Sequence, residues 1–317
     1  MKISVGLCVK NMAETLPLTF DSLLNQTIAG ESELIFVTTS TEDPSLPVFK
    51  QYLDKLTDKY FDVKQVFDHG KGLAAARRIA VELSSSPYIA WVDGDHVVPP
   101  RFLERCYEFM ENNPDCGACN NVPLWIGDKP HQVLEGMAWM YYTFAISGTE
   151  LRRVGSAGGC YRVDAIRQAG NYDPRFRIAA EDGYITYRIW KNGWKLKIDT
   201  ENYYYHIIRP AIREVMKEYR GWGSGAFLET LVNTGKILDK RILKFALSPV
   251  TGLKYSVIYR KFVKTGTYRI FREQALRDGV NLPENLSFST MLFNIPFYTL
   301  KRYAWITGYV ATMVREL

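Results

Sequence analysis

Asp93 and Asp95 are separated by one glycine and follow directly on the apolar run 88–92. That run is rich in aromatic and β-branched residues and is bounded by Pro87. Its length predicts a buried strand rather than a helix. Carboxylates at i and i+2 of a continuing strand share a face, but Gly94 lets the backbone turn there instead. Acids at the C-terminal end of a buried strand stand where open α/β sheets place ligands. Two close carboxylates repel unless a cation joins them. A hard divalent ion that keeps some waters, Mg²⁺ or Mn²⁺, suits them, with a ligand's phosphates completing its shell. The same triplet also fits a turn carrying two solvated acids, so the surrounding elements decide between the two.

Those elements alternate. Strands are expected at 3–9, 33–38, 63–67 and 88–92. Helical spacing appears at 14–24, 48–56, 73–83 and 101–110, with turn-forming or glycine-containing links such as His69-Gly70-Lys71-Gly72. Four strand–helix alternations with short links predict a parallel, doubly wound α/β sheet. The middle of the chain is more mixed. A strand is expected at 116–122, a helix at 133–144, a loop leading into a strand at 156–161, a helix opening at Glu181-Asp182, and a strand at 194–198. Acids in a first helical turn are also favoured by the helix dipole, so that pair reads equally as a cap.

Composition bounds the partners. The 317 residues carry 40 Lys and Arg against 34 Asp and Glu, a mild excess of +6 that suits anionic ligands or an anionic surface. Five scattered cysteines and no secretory signal point to a reducing compartment. Cys116 and Cys119 form a CxxC without a second pair or a His pair at zinc spacing, so they are expected in the core. No apolar run has the length of a simple membrane-spanning helix.

Taken together, the motifs resemble family 2 glycosyltransferases of the GT-A fold, over roughly residues 2–222. Ser4-Val5-Gly6-Leu7-Cys8-Val9-Lys10-Asn11 with Glu14 is similar to the first strand and the nucleotide-contacting loop. Gly70-Lys71-Gly72 with Ala75-Ala76-Arg77 resembles a glycine-containing loop and a helix carrying an Arg near the nucleotide. Asp93-Gly94-Asp95 matches the metal motif, and Gly158-Gly159-Cys160-Tyr161-Arg162 the segment lining the acceptor and sugar pocket. Asn171-Tyr172-Asp173 followed by Glu181-Asp182 is similar to the segment leading to the catalytic acid. Tyr219-Arg220-Gly221-Trp222 resembles an aromatic–basic motif beside the acceptor channel.

The resemblance implies a GT-A (Rossmann-like) catalytic domain over 1–225, mostly parallel in its sheet, with a helical extension over 226–317. It implies an inverting hexosyl transfer from a UDP- or GDP-sugar to a hydroxyl or phosphate of a glycan or of a polyprenyl-phosphate-linked acceptor. Asp182 is then the general base. Asp95 holds Mn²⁺ or Mg²⁺, and Asp93 binds the ribose, or the metal through water. Arg77 and Lys71 add positive charge at the diphosphate. Val9, Asn11 and Glu14 contact the nucleotide, while Gly158, Gly159, Glu181, Arg220 and Trp222 line the sugar and acceptor side. His206 stands where some members place a third metal ligand; the alternative is a stacking core histidine. His69, His96 and His131 are read as packing residues. Two departures stand out: Thr38-Thr39 where an Asp that reads the base is frequent, and Cys8 in place of a usual Pro.

Beyond residue 207 basic and aromatic residues interleave. A solvated helical bundle and a membrane-interface region both fit that texture, and no nucleic-acid fold signature accompanies it. Two apolar segments flanking Lys301-Arg302 favour peripheral membrane contact, at the cytoplasmic, inner face of the cell membrane. Two other functions stay in view. A sugar-1-phosphate nucleotidylyltransferase should carry a Gly-rich loop after the first strand, where Lys10-Asn11-Met12-Ala13 has no glycine. A non-catalytic carbohydrate-binding protein has no need of the intact acids.

Overall fold

The structure is a computed structural model that describes residues 1–237, Ile242 and 247–316. Part of the expected helical extension, residues 238–241, 243–246 and Leu317, lies outside the described residues. The chain divides into two compact units: residues 1–123 with 146–207, and residues 124–145 with 208–317. The boundary expected near residue 225 falls inside a long helix, Ile212–Thr234.

The first unit carries the sheet. Strands β1 (Ile3–Cys8), β2 (Ser32–Thr38), β3 (Asp62–Phe67) and β4 (Tyr88–Trp91) are joined by helices α1 (Leu16–Leu24), α2 (Ser45–Lys59) and α3 (Leu73–Leu83). The apolar runs of β1, β2 and β4 are buried along their whole length, as strands covered on both faces require. Then follow β5 (His96–Val97), α4 (Phe102–Asn112), β6 (Cys116–Ile126), α5 (Pro130–Ile146), β7 (Cys160–Arg162), α6 (Val163–Gln168), α7 (Glu181–Lys191) and β8 (Lys195–Ile207). The strand order is β3-β2-β1-β4-β7-β6-β8-β5. The sheet is parallel across β3-β2-β1-β4 and turns antiparallel at β4–β7, β6–β7 and β5–β8, so the expected parallel character holds for its first half.

One core packs α1, α2 and α4 against the sheet through Leu16, Phe20, Phe36, Phe49, Phe102 and Met110. Phe36 and Phe49 stack at 4.2 Å between ring centroids. At the other end of the sheet Glu33 is fully buried and accepts from Lys64 Nζ and Ser4 Oγ at 2.5 Å and from the Ser85 N–H at 2.7 Å. Burial alone would raise this carboxyl, but the three donors together hold it below the usual carboxylate range.

The second unit is helical: most of α5, then α8 (Ile212–Thr234), α9 (Ser248–Phe262), α10 (Gly266–Arg277) and α11 (Phe288–Glu316). Helices α8 and α11 cross at two glycines. A Cβ on Gly223 would meet the Trp305 carbonyl, and one on Gly308 the Arg220 carbonyl, so only glycine permits this approach. Ser256 Oγ donates to the Met291 carbonyl at 2.9 Å and Asn294 Nδ2 to the Gly252 carbonyl at 3.0 Å, tying α9 to α11. Lys301 and Glu135 form a buried ion pair at 2.5 Å, and Tyr219 donates its hydroxyl to the same carboxylate at 3.0 Å. Among the described residues no helix is long and apolar enough to cross a membrane.

Candidate active site

β4 ends at Trp91, and the chain turns at Asp93-Gly94-Asp95. Gly94 is required by packing: a Cβ there would lie 2.9 Å from Val9 Cγ1 and 3.1 Å from Met12 Cβ. Thr15 Oγ1 donates to the Gly94 carbonyl at 2.7 Å and fixes the turn against the loop after β1. Val9 itself is buried and continues the β1–β2 ladder through its N–H to the Val37 carbonyl.

After this turn, β5 pairs antiparallel with β8, and His96 stands opposite His206. The Ile207 N–H donates to the Asp95 carbonyl at 2.8 Å, so the strand pairing itself brings Asp95 to His206. His206 Nε2 lies 3.4 Å from Asp95 Oδ2. Ligand atoms of Asp95, His96 and His206 all fall within 4.8 Å of one another, the one such grouping found among the described residues. His96 belongs to it by distance but not by chemistry. Its Nδ1 accepts from the Asp93 N–H at 3.1 Å, which assigns the ring proton to Nε2, and that nitrogen faces Asp93 Oδ2 at 3.6 Å. Complete burial pushes its pKa down to about 4, leaving a neutral ring that orients Asp93. A carboxylate paired with the mostly covered imidazole of His206, 19% exposed, is a donor set that suits Mn²⁺ and, less well, Mg²⁺.

Beside this cluster stands Arg77 of α3. Its guanidinium lies 5.3 Å over the Trp91 ring, and that ring fills the space a Cβ on Gly6 would need. Nη1 donates to Glu181 Oε1 at 2.5 Å and to Ser156 Oγ, while Nη2 reaches Asp93 Oδ1 at 3.4 Å. Arg77 and Glu181 are each only 3% exposed. Burial raises the Glu181 carboxyl, and the guanidinium pulls against that rise.

Glu181 and Asp182 open α7. The residue before them, Ala180, has a left-handed backbone with φ of 69°, an uncommon conformation for alanine that aims the first turn of the helix. Asp182 is only partly covered, and both its oxygens are held: Oδ2 accepts the Ser156 N–H at 3.2 Å and Oδ1 the Gly183 N–H at 2.6 Å. Ser156 therefore touches both groups, its hydroxyl on Arg77 and its N–H on Asp182.

The other expected residues fall in several places. Gly159 accepts the Trp91 N–H at 2.8 Å, and Gly158 carries φ of 61° with its open side filled by the Tyr204 ring. An alanine at Gly158 meets both the strained backbone and that ring. Its expected cost is about 3 kcal/mol of stability, read as a lower urea midpoint. Arg162, in the same motif, faces elsewhere: it donates to the Cys116, Met110 and Asn113 carbonyls and to Tyr88, all at the far end of β4 and β7. Asn11 has φ of 56° and gives its N–H to Asp43 at 3.1 Å, and Glu14 is exposed. Lys71 is exposed on a loop whose Gly70 and Gly72 N–H groups bind the Asp68 carboxylate at 2.9 Å. Arg220 and Trp222 lie on α8 in the second unit, where Trp222 packs 4.5 Å from Tyr219. Cys116 and Cys119 are buried free thiols, as their lone CxxC implied. Ser156, Trp91 and the orienting role of His96 are additions that no spacing announced.

The sequence of residues 4–167, more than half of the chain, matches glycosyl transferase family 2. The chain belongs to that family. Among curated relatives, the glucosyl-dolichyl phosphate glucuronosyltransferase of Haloferax volcanii is 27% identical over 185 residues, covering 55% of this chain and 56% of that protein. The poly(ribitol-phosphate) beta-glucosyltransferase of Bacillus spizizenii is 33% identical over 114 residues, 36% of this chain and 18% of that protein. The chain thus spans about half, or less, of the length of these relatives. Among solved structures, the mannosyltransferase PcManGT from Pyrobaculum calidifontis, in complex with GDP-Man and Mn²⁺, aligns with a TM-score of 0.66 at 12% identity, over 100% of this chain and 88% of that one. S. aureus TarS 1–349 aligns with a TM-score of 0.52 at 14% identity, over 100% and 91%. These likenesses establish the fold as the α/β fold of GT-A glycosyltransferases.

Proposed function

We propose that this chain is an inverting glycosyltransferase that takes a hexose from a UDP- or GDP-sugar, uses Mn²⁺ or Mg²⁺, and employs Asp182 as general base. One observation carries the reading: a single guanidinium, Arg77, touches Asp93 on one side and Glu181 on the other, so the acids of the turn and those of α7 border the same place. The acceptor hydroxyl gives its proton to Asp182 as its oxygen attacks the anomeric carbon. The bond from that carbon to the nucleoside diphosphate breaks on the opposite face, which inverts the configuration without an enzyme-bound intermediate. The two backbone N–H groups on Asp182 keep its oxygens in place during the transfer. Asp95 and His206 would hold the cation, with Asp93 on the ribose or reaching the ion through water. When bound, the ion supplies Lewis-acid stabilisation of the leaving diphosphate. Val9, Asn11, Glu14 and Lys71 flank the nucleotide in this reading, and Gly158 and Gly159 the sugar.

The acceptor proposed is a glycan or a polyprenyl-phosphate-linked sugar, met at the inner face of the cell membrane. The relative from Haloferax volcanii, whose name specifies a dolichyl phosphate substrate, supports a lipid-linked acceptor. The second unit supports a lipid surface. Val250, Leu253 and Val257 lie exposed at helical spacing on α9, and Phe288, Leu292, Leu300, Tyr303 and Val314 on α11. The stretch 241–272 contains Lys254, Arg260, Lys261, Lys264, Arg269 and other basic residues but no acid. Apolar side chains beside a run of cations suit an anionic interface. Five buried free thiols support a reducing compartment.

A thermal-shift screen of UDP- and GDP-sugars with Mn²⁺ tests the donor: a nucleotide sugar that binds the folded state raises the melting temperature. The full chain is expected to co-sediment with vesicles containing phosphatidylglycerol, and about tenfold less with neutral phosphatidylcholine vesicles. Equal partition to both vesicle types, or to neither, contradicts the membrane reading.

A further inference from the structure

We infer that Arg77 is a positioning residue for the general base, holding the first turn of α7 through Glu181 and Ser156, and that it does not contact the donor's diphosphate. The inference rests on the glycosyl-transfer reading above and reassigns one of its residues. A guanidinium offers five donors in a fixed planar fork. Here both terminal nitrogens are committed to protein, to Glu181, Ser156 and Asp93. The flat face is committed as well, to the Trp91 ring beneath it. Nε alone has no partner, and it is buried; to turn its fork to a phosphate, Arg77 would have to leave the Glu181 carboxylate, itself 3% exposed, without its cation. Abandoning one half of a buried ion pair is among the costlier changes a protein undergoes.

The contacts also form a path to the base. Glu181 and Asp182 are adjacent on α7, so a carboxylate fixed by Arg77 fixes the backbone on which Asp182 is mounted. Ser156 gives a second connection, its side chain on Arg77 and its N–H on Asp182. Ala180, left-handed just before the helix, provides no stabilisation of its own at this corner. The Arg77–Glu181 pair and the Ser156–Asp182 bond hold it. The same guanidinium reaches Asp93, so a single side chain sets the spacing between the donor-side acids and the base.

The experiment compares Arg77→Lys and the paired variant Arg77→Met/Glu181→Leu with the wild type. GDP and UDP binding with Mn²⁺ is followed by calorimetry, and turnover is followed on GDP-mannose, UDP-glucose and UDP-N-acetylglucosamine. The paired variant removes both charges, so no buried charge is left behind to unfold it. Its expected behaviour is nucleotide affinity within about 3-fold of wild type and kcat lower by about 100-fold, the scale of a misplaced base. Arg77→Lys keeps the charge but not the fork, and is expected to lose about 10-fold in kcat with KM for the donor unchanged. A purely structural role would lower the melting temperature without splitting kcat from KM. Nucleotide affinity lower by tenfold or more, with kcat at saturation retained, overturns the inference and returns Arg77 to the diphosphate. If the wild type binds neither nucleotide, the donor reading fails. The crystal structure of the paired variant then decides this inference: a displaced Asp182 supports it and an unmoved Asp182 overturns it.

Discussion

Asp182→Asn is expected to lower transfer by about 10²–10⁴-fold while nucleotide affinity stays within about 2-fold of wild type. Asparagine has nearly the same shape as aspartate and can still accept the Ser156 N–H through its amide oxygen. It cannot take a proton. The size of the effect is that of a general base removed from a displacement whose other requirements remain in place. The contrast with Glu181→Gln separates the two neighbouring acids. Glu181 is buried against Arg77 and turned away from solvent, whereas Asp182 is partly open. Removing the Glu181 charge leaves the Arg77 cation buried with only Asp93 at 3.4 Å as a carboxylate partner, so its larger effect is expected on melting temperature. Kinetics and thermal melts on the two variants check the distinction. Full activity in Asp182→Asn would remove it from the base role.

The second large effect belongs to Asp95. Asp95→Ala, or chelation of the wild-type protein with EDTA, is expected to lower turnover by about 10³-fold, since charge stabilisation of a leaving diphosphate by a cation amounts to several kcal/mol. His206→Ala is expected to do less, because His206 is the more exposed partner and water is able to fill a vacated position in the shell of Mn²⁺ or Mg²⁺. His96→Ala differs in kind. Its ring is neutral, fully buried and bonded to the Asp93 N–H, so the variant is expected to lose stability and to loosen the turn while retaining Mn²⁺ affinity to within about tenfold. Mn²⁺ titrations of the three variants, read by calorimetry, rank them. Unchanged Mn²⁺ affinity in Asp95→Ala contradicts the assignment.

Much of this was legible in residue types. The apolar, β-branched runs of β1, β2 and β4 admit little besides buried strands, and their alternation with helical spacing gives the parallel half of the sheet. The acids at the end of β4 and at the start of α7 stand out because their spacing is local. What did not stand out is long-range. Arg77 and Glu181 are 104 positions apart, and no periodicity couples them, so a side chain expected at the diphosphate proves to be tied to the protein. β5 is two residues long, too short for any pattern, yet its pairing with β8 brings His96 and His206 together. β8 runs on from the expected stretch near 194–198 to Ile207, and Tyr203, Tyr204 and Tyr205 are buried along it. Arg162 sits in a motif expected to face the acceptor, but alternation along a strand sends neighbouring side chains to opposite faces, and its guanidinium caps carbonyls at the end of α4. The unit boundary was hidden for a similar reason. Residues 124–145 group with the C-terminal helices, and a discontinuous unit leaves no mark in local composition.

The turn after β4 and the end of β8 are expected to hold one divalent cation for the nucleotide. Anomalous scattering at the manganese edge, from crystals grown with Mn²⁺ and either GDP or UDP, tests it most directly. The expected result is one ion bonded to both Asp95 and His206, with the nucleotide's phosphate oxygens on its open side and Asp182 facing the same cavity. An ion bound elsewhere, or a nucleotide seated with Asp95 and His206 free of metal, would contradict it.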